Sequence, residues 1–224
     1  MILNKKVIAL LPIKDHSERV VGKNFKHFCG KPLYHHIVNT LDRTYAVDTI
    51  LINTDSPLVI HEASRLSPKI KIIERPEDLC GDYISTNKIF EYDLKNSESD
   101  IYIQTHATNP LLKAETIAAA LREFVNQDEY DSMFSVTEFK SRFYDENNQA
   151  INHNPKKLLR TQDLPSMYEE NSCLYIFTRE SFQLTKGRIG MKPKMFVTPR
   201  LESIDIDDHV TWRIAELLGL HSLT

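Results

Sequence analysis

Short apolar runs alternate along this chain with longer stretches whose apolar residues recur every three or four positions. The runs at residues 7–11, 49–53, 70–73, 101–104 and 133–136 are rich in β-branched side chains and read as buried strands. The stretches near 32–41, 58–66, 86–95 and 114–126 read as helices. Pro32 stands at the first helical position of the first of these, where a missing N–H is no loss. In the fourth, Ile117, Leu121, Phe124 and Val125 share the face that meets a sheet. Strands and helices in alternation predict an α/β fold built on a mostly parallel sheet.

The pattern lapses between 140 and 171. Asp145-Glu-Asn-Asn-Gln149 and Asn152-His-Asn-Pro155 are turn signals, and Phe143, Tyr144, Leu158 and Leu159 remain as isolated anchors. An excursion of this length without a core of its own usually has a function. The chain therefore divides into an α/β domain (1–139 and 172–224) and an arm (140–171). Regular structure resumes at 173–177 and closes with a short strand at 202–206 and a helix at 208–218.

A length of 224 residues suffices for one sizeable α/β core. Apolar residues make up 41% and charged residues 26%, as in an ordinary soluble domain, and no apolar run is long enough to span a bilayer. The net charge of −3 gives no overall field for nucleic acid or an anionic membrane. The opening Met1-Ile-Leu-Asn-Lys-Lys6 lacks the core and cleavage site of a signal peptide. Cys29, Cys80 and Cys173 are odd in number and without Cys-x-x-Cys spacing. That predicts a reduced cytoplasmic protein with neither a zinc cluster nor a disulfide framework.

Charge matters locally instead. The first strand is read as breaking at Pro12 into a loop that carries Lys14, Arg19 and Lys23. Cations at the carboxyl end of a first strand stand where α/β sheets bind ligands, and Lys and Arg make strong charge-assisted bonds to phosphates. The bland alternative is a set of solvated loop charges. Gly22 would let the backbone approach a ligand, and the spacing is not that of a Walker loop. Near the other end, Asp205 and Asp207 alternate along the expected strand, with Ile204 and Ile206 facing the core. Paired carboxylates suit Mg²⁺, which keeps waters and shares substrate phosphates; two hydrogen-bonded Asp at a strand end is the other reading.

Pro12, Ser17, Arg19, Gly22, Lys23 and Asn24 match a pattern, Pro-Ala-Arg-x-x-Ser-Lys-Arg-x-Pro-Gly-Lys-Asn, in which Lys14 and Val21 depart. The segment resembles the N-terminal signature of cytidylyltransferases of the acylneuraminate type. Asn53-Thr-Asp55 and Asp205-Ile-Asp207 fit the same family, as does Arg75-Pro-Glu-Asp-Leu79 with Asp82, Ser85 and Thr86. Looser matches are Gln104-Thr-His-Ala-Thr-Asn-Pro-Leu-Leu112, where His106 replaces a Gln, and Arg160-Thr-Gln-Asp-Leu-Pro165 with Asn171. In the latter stretch Arg160 is displaced by one residue, with Thr161 in its place, and Ser172 stands for a Gly. Thr211 stands where the family often has a further Asp.

The resemblance covers nearly the whole chain. It implies a Rossmann-like sheet of the nucleotide-diphospho-sugar transferase type, with 140–171 as a dimerisation arm and a homodimer as the assembly. It implies transfer of CMP from CTP to a nine-carbon, sialic-acid-like 2-keto sugar acid, with release of pyrophosphate. Lys23, Arg19 and Asp207 would be catalytic. Pro12, Lys14, Ser17, Asn24, Arg75, Ser85 and Thr86 would hold the nucleotide. His106, Gln162 and Asn171 would face the sugar, and Asp205 and Asp207 would bind Mg²⁺. Ser85 and Thr86 also suit a helix N-cap, and His106 also suits a satisfied polar residue at a strand end. A 3-deoxy-octulosonate cytidylyltransferase, a metal-dependent glycosyltransferase and a nucleotide-binding relic remain alternatives.

Overall fold

In the structure, a computed structural model describing residues 4–17 and 19–222, the first run is the axis of the molecule. Residues 1–3, on which part of the signal-peptide reading rests, lie outside the described residues. β1 (Val7–Ile13) is buried at every position except Pro12, which is half-buried. β4 (Thr49–Thr54) and β6 (Ile101–Gln104) flank it in parallel, and β5 (Ile70–Glu74) extends the sheet beyond β4. β8 (Met167–Phe177) runs antiparallel to β6, β7 (Ser132–Phe139) antiparallel to β8, and β9 (Pro193–Val197) parallel to β7. The seven-stranded order is β5-β4-β1-β6-β8-β7-β9, mostly parallel as the pattern predicts. A small separate ribbon pairs β2 (His27–Phe28) with β3 (Lys31–Pro32) through Cys29 and Gly30, both at positive φ.

The helices are α1 (Leu33–Arg43), α2 (Pro57–Glu62), α3 (Thr86–Lys95), α4 (Ala114–Val125), α5 (Arg179–Thr185) and α6 (His209–Ser222). On α4, Ile117 and Leu121 are fully buried and Phe124 nearly so, as their spacing predicts. Each such side chain contributes about 2 kcal/mol by burial. Two apolar layers result: one joins β1, β4 and β6 to α1 and α4, the other joins the opposite sheet face to Phe90 and Leu94 of α3. Among the described residues no helix is long and apolar enough to cross a membrane, and all three cysteines are free.

Several expectations need correction. β1 does not break at Pro12 but runs on to Ile13, with Pro12 in register with Asn53. Thr105 N donates to Leu10 O, so the even-numbered residues of β1 turn their backbone groups toward β6. β6 ends at Gln104, opposite Leu10, so no ladder partner is lost at Pro12. Pro32 is the N-cap of α1, with extended ψ of 141°, rather than its first helical residue. The helix expected at 58–66 is α2 followed by a 3-10 turn, Ala63–Arg65. Residues 202–206 form no strand: Glu202 closes a turn, and the irregular segment after it is held by isolated bonds. β8 starts within the arm, at Met167, because it pairs with β7 well beyond the sheet's centre. The β2–β3 ribbon, α5 and β9 were not legible in the pattern.

Candidate active site

The strands deliver their carboxyl ends to one cavity of about 480 Å³. Lys14, Ser17, Arg19, Lys23 and Asn24 reach it from the loop after β1, Arg75 from the end of β5, and Thr86 from the start of α3. His106 and Thr108 reach it from the loop after β6, and Ser172 from β8. Asp205 and Asp207 reach it from the irregular segment before α6.

The loop after β1 is built to hold its cations up. Gly22 turns it at φ +62°, and Lys23 N donates to Val20 O at 3.1 Å. A Cβ at Gly22 would meet no protein atom within 4 Å, so within the chain glycine is favoured here by its backbone conformation. Asn24 is buried, and its side chain donates to Lys14 O at 2.9 Å, tying the two ends of the loop together. Lys14 extends to Asp82 at 2.7 Å. Lys23, only 14% exposed at its side chain, donates to Ile206 O at 2.6 Å and lies 3.8 Å from Asp207. Arg19 approaches the same carboxylate at 3.2 Å. Burial pulls the Lys23 pKa below its usual 10.5, while Asp205 and Asp207 pull it back.

The carboxylates stand in a complementary setting. Ile206 N donates to Thr108 O at 2.9 Å and Asn109 to Ile204 O at 3.3 Å, so the segment is pinned to the loop after β6. Ile206 is buried, and alternation brings Asp205 and Asp207 to the cavity without a ladder. Burial raises the Asp205 pKa, with Asp207 adding to it and the Thr108 hydroxyl, Lys23 and Arg19 opposing. Asp205 Oδ1 is buried with no hydrogen-bond partner, as befits an atom awaiting a cation. Two hard carboxylate donors open to water and phosphate fit Mg²⁺. Among the described residues no cluster of three or more His, Cys, Asp or Glu competes for a softer metal. Thr211 serves the backbone: its hydroxyl accepts from Asp207 N at 2.9 Å and Asp208 N at 3.0 Å.

The remaining expected residues divide. Pro12 lines the cavity from β1. Arg75 lines it but is buried, donating from Nε to Asn53 Oδ1 (2.8 Å) and from Nη2 to Asn53 O (2.9 Å) and Ile13 O (3.3 Å); it braces the ends of β1 and β4. Ser85 is the backbone N-cap of α3, makes no capping bond through its side chain, and does not line the cavity; Ile84 and Thr86 do. Gln162 is exposed in a 3-10 turn, Thr161–Asp163, away from the cavity wall of this chain. Asn171 is buried and spent: its Nδ2 donates to Thr137 and Thr198, and its Oδ1 accepts from Ser135. It holds β7 and β8 together across the irregularity between Phe134 and Val136. Ser172, next to it, has φ +57°, which explains why a glycine suits that position. Arg188, just beyond α5, lines the cavity and was missed; its lone position carries no local signal.

Comparison with known proteins agrees with this geometry. A family model described as cytidylyltransferase matches residues 8–205. A pseudaminic acid cytidylyltransferase of Campylobacter jejuni is 25% identical over 95% of this chain and 96% of its own length. A CMP-N,N'-diacetyllegionaminic acid synthase of Legionella pneumophila is also 25% identical, with the same coverage. A solved CMP:2-keto-3-deoxy-manno-octonic acid synthetase complexed with CTP superposes with a TM-score of 0.68 at 14% identity, covering 96% of this chain and 99% of that one. This last likeness shows the fold, an α/β one on a mostly parallel sheet.

Proposed function

The chain belongs to the cytidylyltransferase family, and from that we propose that it joins CTP to a nine-carbon 2-keto sugar acid of the sialic, legionaminic or pseudaminic kind. The observation that carries this reading is one cavity in which the loop cations Arg19 and Lys23 meet the carboxylates Asp205 and Asp207.

The sugar's anomeric oxygen forms a bond to the α-phosphorus as the bond to pyrophosphate breaks. Such a reaction needs positioning and charge neutralisation more than a protein nucleophile. Arg19 and Lys23 lie against Asp207; a triphosphate would offer them stronger acceptors, with Lys14 adding a third cation. They then offset the charge that gathers on the departing pyrophosphate. Asp205 and Asp207 would hold Mg²⁺, which would supply a Lewis acid to polarise the phosphate and acidify the attacking hydroxyl. Thr86, at the N-terminus of α3, adds backbone donors at an anion-favouring helix end.

The arm supports a homodimer. Tyr144, Ile151, Leu158 and Leu159 are exposed apolar side chains on it, held in place by Asn152, which donates to Ser141 O and Pro165 O.

The test is pyrophosphate release from CTP and Mg²⁺ with N-acetylneuraminate, its deaminated analogue, legionaminate, pseudaminate and octulosonate. Release with a nine-carbon acid is expected. Release with octulosonate alone would transfer the reading to the eight-carbon class, and silence across the panel with CTP bound would refute it.

A further inference from the structure

Beyond the loop cations and Arg75, whose guanidinium is hydrogen-bonded to Asn53 and Ile13, the cavity holds another positive group that no part of the nucleotide reading uses. The Arg188 guanidinium lies 3.9 Å from the ring centre of Tyr175 and 5.6 Å from that of Phe90. Its Nη1 donates to Gln104 Oε1. Arginine only donates, so this contact fixes the Gln104 amide with its nitrogen toward Thr105 O (2.8 Å) and His106 Nε2 (3.0 Å). His106 Nε2 must then accept, which leaves the ring neutral with its proton on Nδ1. Burial, with Arg188 and Lys23 nearby, holds the His106 pKa down to about 4, so the ring stays neutral near pH 7.

Arg188 thus has aromatic faces and one amide but no counter-ion: among the described residues no carboxylate lies within ion-pair distance of it. Glu170, the acid that influences it, accepts instead from the Tyr175 hydroxyl. Burial disfavours the guanidinium's charge enough to lower its pKa. A desolvated cation without a partner is unfavourable unless a ligand supplies the anion.

Topology separates this cation from the others. Lys14, Arg19 and Lys23 sit on the loop after β1, on the nucleotide side of the proposed reading, while His106, Ser172 and Arg188 belong to the loop after β6, to β8 and to the segment after α5. The two substrates bring two anionic groups, a triphosphate and a carboxylate, and the planar fork of arginine matches a carboxylate.

We propose that Arg188 binds the carboxylate of the sugar acid, with Gln104 as the positioning residue that orients both Arg188 and His106; this rests on the cytidylyltransferase reading above. Arg188→Met keeps the length of the stem and removes the charge. It is expected to raise the KM for the sugar acid about thirtyfold or more, as loss of a charge-assisted bond does, and to leave CTP affinity by calorimetry unchanged. The C1 amide of the same acid should be a poor substrate for the wild type and no poorer for Arg188→Met. Arg188→Lys, which retains a cation, should recover part of the loss and serves as the second variant if Arg188→Met does not fold. An unchanged KM for the acid, or a loss of CTP affinity instead, would overturn the proposal. A wild-type protein inactive on every acid would instead overturn the functional reading itself, and this proposal with it.

Discussion

Replacing Asp93 by asparagine should flatten the pH dependence of stability. Asp93 lies wholly buried on α3; its Oδ1 accepts from Asn53 Nδ2 at 2.6 Å, and its Oδ2 has no partner. Asn53 in turn accepts from Arg75, so the carboxyl sits behind the residues that brace the cavity's strand ends. Burial lifts its pKa from 3.8 to about 7, against the opposing pull of Asn53 and Arg75. The native chain therefore keeps a proton that the unfolded chain has already released. Stability from this group is complete below pH 3.8 and is lost as pH rises through about 7. At about 1.4 kcal/mol per pH unit, the whole window amounts to about 4 kcal/mol. Asp93→Asn cannot ionise, so between about pH 4 and 8 its stability should fall by some 2–4 kcal/mol less than that of the wild type. Urea denaturation at closely spaced pH values measures both curves, and their difference isolates this carboxyl from every other titrating group. Parallel curves would refute the reasoning and mean that Arg75, acting through Asn53, keeps Asp93 ionised despite its burial.

Lys23→Ala should lower kcat for pyrophosphate release by about a hundredfold. A near-native rate in a protein that melts like the wild type would remove Lys23 from the chemistry. Asp205→Asn should abolish calorimetrically detected binding of Mn²⁺ used as a Mg²⁺ surrogate; retained binding would move the metal elsewhere. Ser172→Gly should be more stable than Ser172→Ala by about 1 kcal/mol, because both lose the hydroxyl but only glycine accepts positive φ without strain. Equal melting temperatures would mean that the backbone relaxes at that position.

Where identity follows from neighbours along the chain, the sequence was readable. β1, β4 and β6 are apolar runs buried on both faces, β5 is an isoleucine-rich run at the sheet's edge, and α4 shows its apolar stripe openly. The loop cations and the Asp205 pair were legible for the same reason, being compact local patterns. What was not legible depends on distant partners. Asp205 and Asp207 needed no strand because Thr108 and Lys23 hold the segment from elsewhere in the chain. Asn171 looked like a ligand group, yet Ser135, Thr137, Thr198 and the backbone N–H of Cys173 take all its hydrogen-bonding capacity. Arg188 has no local signature: Gln104, its partner, lies 84 positions away. The β2–β3 ribbon turns through Cys29-Gly30, which lacks the Asn-Gly or Asp-Gly signal that marks such turns.

The strand order also bears on how such an enzyme can diversify. On the proposed reading, groups that face the nucleotide hang from the ends of β1 and β5, and groups that face the acceptor from the loop after β6, from β8 and from the segment after α5; the two halves share the β1–β6 ladder and the apolar layer beneath it. Changes at the two ends of the cavity that share no partner should combine nearly additively, whereas changes to pairs in contact, such as Lys23 with Asp207 or Arg188 with Phe90, should not. A lineage could exchange one sugar for another by reworking the residues around His106 and Arg188 while inheriting its hold on CTP intact.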